Sequence, residues 1–378
     1  MGPAVAGMLL IAATYGMARF GVGLFAPLLA AERPELAGAL GWAAAAQFGS
    51  YSLAAVVAAR LVDRHPRTGL LLAGTTATTG CLGVAAASDP VVFVAAVLVG
   101  GLGGGFASPA LVPVIDAVVA PDATATAQSV ANAGTAVGVI GAGLVTFTAA
   151  SIGPAWIFMA LVCAVATVAA WCPVRARADL AASRGTTAGP PSAPPAGAWQ
   201  ALLVPGAAAV VAGAGSSLVW TFGPLLMTDS GSVAPERVGW LWIALGLGGF
   251  LGTLTGALVE RTGRRGGWCT CAGALALASA GVALSVATGS SWTAYTGMAV
   301  FGAGYMGLTA VLILWARDAR PNNAGAGTSI LFIALATGQA LGSAGFGAVQ
   351  ELLSPALLAA LATALCATGG LTALMGRR

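Results

Sequence analysis

The chain is a succession of long apolar stretches separated by short clusters of charged, proline and turn-forming residues. A helix rising 1.5 Å per residue needs about 20 apolar residues to cross a bilayer. Stretches of that length predict spans at roughly 4–30, 38–61, 68–87, 91–115, 125–149 and 154–173. A second set follows at roughly 200–227, 237–259, 267–288, 292–316, 324–349 and 354–375. The pattern predicts an all-α integral membrane protein with twelve transmembrane helices, six on each side of one interruption. That interruption runs from Val174 to Gln200 and holds Arg175, Arg177, Asp179, Arg184 and the segment AGPPSAPPAGA, the composition of a solvated flexible linker. The domains therefore read as a six-helix bundle at 1–173, a linker at 174–199 and a second six-helix bundle at 200–378.

Composition agrees with this pattern and excludes a soluble globular domain. Of 378 residues, 58% are hydrophobic and 7% charged, where soluble domains carry about 25% charged residues. The 55 glycines predict close helix contacts, because small residues let backbones approach in lipid, where packing drives association. The first apolar run lacks a basic leader and is too long for a signal-peptide core, so it is expected to remain as a helix. Cys81, Cys163, Cys172, Cys269, Cys271 and Cys366 lie in or beside apolar runs without metal-ligand or CxxC spacing. They read as small buried hydrophobes, and no cofactor or metal is expected.

Arginine placement sets the orientation. Arg60, Arg64, Arg67, Arg175, Arg177, Arg184, Arg261, Arg264, Arg265, Arg317, Arg320, Arg377 and Arg378 all fall in loops on one side of a twelve-span layout. The opposite loops hold only Arg33 and Arg237, each beside glutamate. Positive excess marks the cytoplasmic side, so both termini are expected in the cytoplasm. The chain also repeats. Phe25-Ala26-Pro27-Leu28-Leu29 matches Phe222-Gly223-Pro224-Leu225-Leu226, and Ala59-Arg60-Leu61-Val62-Asp63-Arg64 matches Gly256-Ala257-Leu258-Val259-Glu260-Arg261, both 197 positions later. One shared offset in corresponding spans points to duplicated halves of the same orientation.

Leu61, Asp63, Arg64 and Arg67 after span two, and Gly256-x-Leu258-x-Glu260-Arg261-x-Gly263-Arg264-Arg265 after span eight, resemble the loop signature G-x-L-x-D-R-x-G-R-R of the major facilitator superfamily. The first copy lacks both glycines. Ala18-Arg19-Phe20 and Thr221-Phe222-x-Pro224 are similar to the YbfB/YjiJ-type bacterial branch. The resemblance implies a multi-pass protein of the bacterial cytoplasmic membrane that moves a small-molecule substrate by alternating access. It also implies a gate in which loop acids and arginines hold the halves in one state. The matching residues here are Asp63, Arg64, Arg67 and Asp116, with Glu260, Arg261, Arg264 and Asp318 in the second half. The plainer reading is topology: arginines stay on the cytoplasmic side and nearby acids accompany them.

Span five carries Gly134-x-x-x-Gly138-Val139-x-x-Ala142-Gly143, which resembles the family's antiporter signature without its proline and leans toward export; close packing explains it equally well. Gly101 to Gly105 in span four has no preceding strand and reads as packing, not a phosphate loop. Arg19 lies about 15 residues into span one, near the midplane, where a charge is costly unless it faces water or a partner. No acid lies at comparable depth. A guanidinium in a water-accessible chamber between the halves would grip a planar anion such as a carboxylate. Tyr15, Gln47, Tyr51, Gln128, Asn132, Trp220, Tyr305 and Gln339 are expected to line the chamber with it. The structural alternative bonds Arg19 to backbone carbonyls or to Gln47, Gln128 or Asn132.

His65 is the only histidine and falls in a loop, so it reads as solvated. With no acid at midplane depth, no acid/base pair for membrane enzymology is evident, and protons, as the candidate coupling ion, would travel on a substrate carboxyl or through Asp63 and Asp116. No nucleic-acid partner is expected, and the protein reads as a monomer in a lipid bilayer. Export of a small organic molecule, uptake of a small carboxylate and a sensor without flux remain the open functional readings.

Overall fold

The computed structural model describes residues 2–62, 65–120, 123–149, 151–181, 200–319 and 324–375, and every regular element in them is helical. Ten segments among them are long and apolar enough to cross a membrane, against twelve expected. Two local features account for the difference. The first run is divided into Gly2–Ile11, a π-helix at Ala12–Arg19, and short helices at Gly21–Leu24 and Ala26–Glu32, each shorter than a bilayer crossing. Runs eight and nine form one apolar segment, Pro235–Thr288, of 54 residues. Within it the chain departs from helical geometry at Gly263 (φ 72°, ψ 170°), a conformation that only glycine adopts cheaply.

Helix starts follow local chemistry. Proline opens Pro66–Ala86, Pro90–Val118 and Pro355–Thr372, where its missing N–H costs nothing. Asp89 accepts from the amides of Val91 and Val92, and Ser354 from that of Leu357, satisfying amides with no partner inside the helix. On the same face Arg33 donates to the carbonyls of Val84, Ala85 and Ala87 at 2.7–3.2 Å, and the Ile152 amide donates to Glu32 Oε2 at 3.0 Å. Charged side chains in these loops thus close the ends of helices that have run out of backbone partners.

Within the first half, Pro66–Ala86 packs on Pro90–Val118 and on Ile152–Ala181, and Leu40–Leu61 packs on Pro90–Val118. Within the second, Thr255–Thr288 packs on Ser291–Ala319 and Pro355–Thr372, and Leu203–Asp229 on Ala324–Val349. The halves meet where Leu40–Leu61 lies against Ala324–Val349, Gly134–Val145 against Gly239–Gly249, and Gly21–Leu24 against Leu203–Asp229. Glycine makes these seams possible. A Cβ at Gly41 would stand 2.7 Å from Gly347 Cα, and one at Gly143 2.6 Å from the Gly239 carbonyl oxygen. At Gly23 it would collide with the Trp220 carbonyl. Gly41, Gly143, Gly239 and Gly347 lie near helix ends on the face opposite the termini. Toward the terminus face, Gly2–Ile11 and Thr124–Asn132 pack against each other and their own half.

Of the cysteines, Cys81, Cys163, Cys271 and Cys366 are buried as expected, whereas Cys172 is exposed and Cys269 half-buried. His65 is exposed.

Candidate functional site

Arg19 ends the π-helix, and Phe20 after it leaves helical geometry (φ −95°, ψ 0°). A π-helix bonds i to i+5 and so carries an extra residue per turn, a local device frequent at functional sites. Here it is clamped from span five: a Cβ on Gly16 would stand 2.6 Å from Gly138 Cα and 2.8 Å from the Thr135 carbonyl oxygen. Span four presses from another side, where a Cβ on Gly104 would meet Tyr15 Cδ2 at 3.0 Å and Arg19 Cδ at 3.6 Å. Gly101 and Gly105 lie as close to span two, their Cβ positions falling near the Gln47 and Tyr51 carbonyls at 2.6 and 2.5 Å. The predicted packing role of the Gly101–Gly105 stretch is what brings Gln47 and Tyr51 toward Arg19.

The surroundings of Arg19 differ from the water-accessible chamber expected. Its side chain is 1% exposed. The guanidinium carbon lies 4.0 Å from the Tyr51 ring centroid, 4.5 Å from Tyr15, 5.1 Å from Phe48 and 5.2 Å from Phe20. The π-electrons of these rings attract a cation that has lost its water. They accept no directed hydrogen bond of ordinary strength, and Arg19 Nε and Nη1 are buried without an acceptor among the described residues. Nor does a carboxylate neutralise it there. Gln47 does not bond Arg19; its Nε2 reaches the Ala18 carbonyl at 3.5 Å.

An aromatic stack joins this cage to the second half. Phe20 lies on Trp220 with centroids 3.8 Å apart and planes within 14°. Trp220 meets Tyr305, Phe301 and Trp242 edge-on at 5.1–6.0 Å, and the Tyr305 hydroxyl donates to Gln339 Oε1 at 3.3 Å. Trp220 Nε1 and Gln339 Nε2 are buried without an acceptor, like the two Arg19 nitrogens. Arg19, Tyr15, Tyr51, Trp220, Tyr305 and Gln339 thus form one connected cluster across the halves, with Gln47 at its edge.

Gln128 and Asn132 are not part of it. Gly134 is level with Met8 and Ala12, and Gly138 with Ala12 and Gly16, so parallel spans one and five put Gln128 and Asn132 near the start of span one. They sit about three to four turns, roughly 15–20 Å, from Arg19 toward the terminus face, and Asn132 is exposed. Phe20, Phe48, Phe301 and Trp242 were missed because an apolar residue in an apolar run carries no signal of its own. The adjacency of Phe20 to Arg19, and the one-turn spacing of Phe48 and Tyr51, were the available hints.

At the terminus face the second-half gate residues meet in part, with Arg264 Nε 3.1 Å from Asp318 Oδ2. Both partners are more than a third exposed and both belong to the second half, so the pair has little strength by itself. Glu260, Arg261 and Asp116 are exposed and Arg67 is half-buried; Asp63 and Arg64 lie outside the described residues. A cleft of about 660 Å³ opens on the opposite face between Phe25, Phe147, Asp229 and Glu236 and holds none of the predicted residues.

The sequence profile of the Major Facilitator Superfamily matches residues 8–343. The chain belongs to that superfamily. It is therefore a membrane transporter rather than an enzyme, and it is similar in fold to solved transporters along its whole length. The nucleoside transporter NupG aligns with a TM-score of 0.75 at 13% identity, covering 100% of each chain. The xylose transporter XylE from E. coli, in a partially occluded inward-open conformation, gives 0.73 at 12%, covering 98% of this chain and 96% of that one. A POT family transporter in complex with 5-aminolevulinic acid gives 0.77 at 10%, covering 99% and 95%. No curated protein sequence matches the chain.

Proposed function

We propose that this superfamily member is a secondary carrier of a small organic anion, with twelve membrane crossings, both termini in the cytoplasm and alternating access between two faces. The carrying observation is the buried cluster of Arg19, Trp220 and Gln339, whose four unsatisfied nitrogens are all hydrogen-bond donors. A buried donor without an acceptor is costly, more so when charged, and a ligand that brings only acceptors and one negative charge removes that cost. A carboxylate fits, because its two oxygens match the guanidinium fork. In this reading glycine seams join the halves on the face opposite the termini, and Arg264 and Asp318 flank the cytoplasmic mouth.

The glycines of span five carry less weight for export than their resemblance implied. Gly134 and Gly138 seat against the Met8 and Ala12 carbonyls of span one, which explains them by contact alone. Direction therefore rests on transport itself. The chain in liposomes should exchange labelled for unlabelled carboxylate across a membrane, whereas a sensor binds without flux. Binding should be abolished in Arg19→Gln and weakened in Arg19→Lys, since an ammonium keeps the charge but not the fork. Equal affinity in wild type and Arg19→Gln would assign Arg19 to the second reading, a structural cation held by its four rings.

A further inference from the structure

We infer that the anion is aromatic: a small aryl carboxylate whose ring stacks on Trp220 while its carboxylate meets Arg19. This rests on the anion reading above and narrows it. The geometry that carries it is the position of Phe20. Its ring occupies the space between the guanidinium carbon, 5.2 Å away, and the indole of Trp220, 3.8 Å away and nearly parallel. Tyr15 and Tyr305 meet that ring edge-on at 5.5 and 6.5 Å. The space is therefore shaped for one flat ring, held between the guanidinium and the indole face.

Phe20 fills this space from a weak point in its helix. It follows the π-helix and precedes the four-residue helix Gly21–Leu24, and a second departure from helical geometry follows at Phe25. Rotation of the Phe20 side chain to another rotamer breaks no backbone hydrogen bond. With Phe20 displaced, an aryl ring on Trp220 would keep the stacking contact. Its carboxylate would meet the donors Arg19 Nε and Nη1, which are buried without an acceptor. Aliphatic acids satisfy the guanidinium but leave the indole face unmatched; neutral aromatics do the reverse.

Calorimetric titration of the purified full chain at neutral pH tests this with four probes. Benzoate is the expected ligand; cyclohexanecarboxylate has its charge and size without the flat ring; propionate has the charge alone; benzamide has the ring without the charge. Wild type should bind benzoate about tenfold more tightly than cyclohexanecarboxylate, equivalent to ~1.4 kcal/mol, and more tightly still than the other two. Trp220→Leu should erase the preference for benzoate over cyclohexanecarboxylate, while Trp220→Phe retains most of it. If cyclohexanecarboxylate binds wild type as tightly as benzoate, the aromatic inference is overturned and the anion reading stands. Benzamide equal to benzoate overturns both, as does a failure of both benzoate and cyclohexanecarboxylate to bind. The wild-type series decides the matter even if the Trp220 variants do not fold.

Discussion

Replacing Arg19 by methionine separates a ligand from a structural tie. The side chain is 1% exposed, and two of its nitrogens are buried without acceptors. Each buried unsatisfied donor costs about 1–3 kcal/mol, more when charged, and insertion of arginine at a helix centre costs about 2.5–3.5 kcal/mol. Against this, cation–π attraction to rings at 4.0–5.2 Å returns about 2 kcal/mol once desolvated. Two such donors cost about 2–6 kcal/mol, so the cost exceeds the return by up to about 4 kcal/mol. Methionine fills much of the same volume without charge, and exchange of a buried charge for a well-packed apolar group often stabilises. Ligand-free Arg19→Met should therefore unfold at higher denaturant than wild type in mixed micelles, followed by tryptophan fluorescence. Saturating carboxylate should stabilise wild type, by about 2.7 kcal/mol at a hundredfold excess over Kd, and leave the variant unmoved. A variant destabilised by more than about 1 kcal/mol would mean that the aromatic cage pins span one through the guanidinium, and the ligand argument would fail.

Other perturbations test other parts of the molecule. Gly23→Ala places a Cβ on the Trp220 carbonyl and should part the seam opposite the termini; spin labels at exposed Glu35 and Glu351 should move apart, and an unchanged distance would show that the Gly41 and Gly143 seams suffice. Arg33→Gln removes the charged donor to three carbonyls and should lower stability by about 1.5–3 kcal/mol, read as a shift in the unfolding midpoint; a smaller loss would mean that water caps those carbonyls as well. Asp318→Asn should change stability by less than about 1 kcal/mol, because the pair is solvated, yet slow exchange in liposomes if the pair gates the mouth. Loss of stability with no loss of rate would make the pair structural.

Most span positions were legible because hydropathy sums over a whole helix and does not depend on how that helix is turned, although the helix Ile152–Ala181 continues past residue 173, where composition had placed the start of a linker. The broken first span was not. Nothing in Ala12–Arg19 announces a π-helix, and hydropathy reads Gly2–Glu32 as one run. Gln128 and Asn132 lie apart from the Arg19 cluster for a related reason: each is polar and within a span, but the contact of Gly134 with Met8 sets span five at a depth that carries them toward the terminus face.

The linear order of residues determined that the chain is a multi-pass membrane protein, and it pointed to where the chain crosses, to repeated halves and to one guanidinium near mid-depth. Those properties follow from transfer free energies, which add residue by residue. Only the packed structure decided what surrounds that guanidinium. The rings of Tyr15 and Phe20 come from span one and those of Phe48 and Tyr51 from span two, while Trp220 and Gln339 come from the other half. Whether such residues meet depends on the rotation and closeness of their helices, which the π-helix and the glycine contacts set.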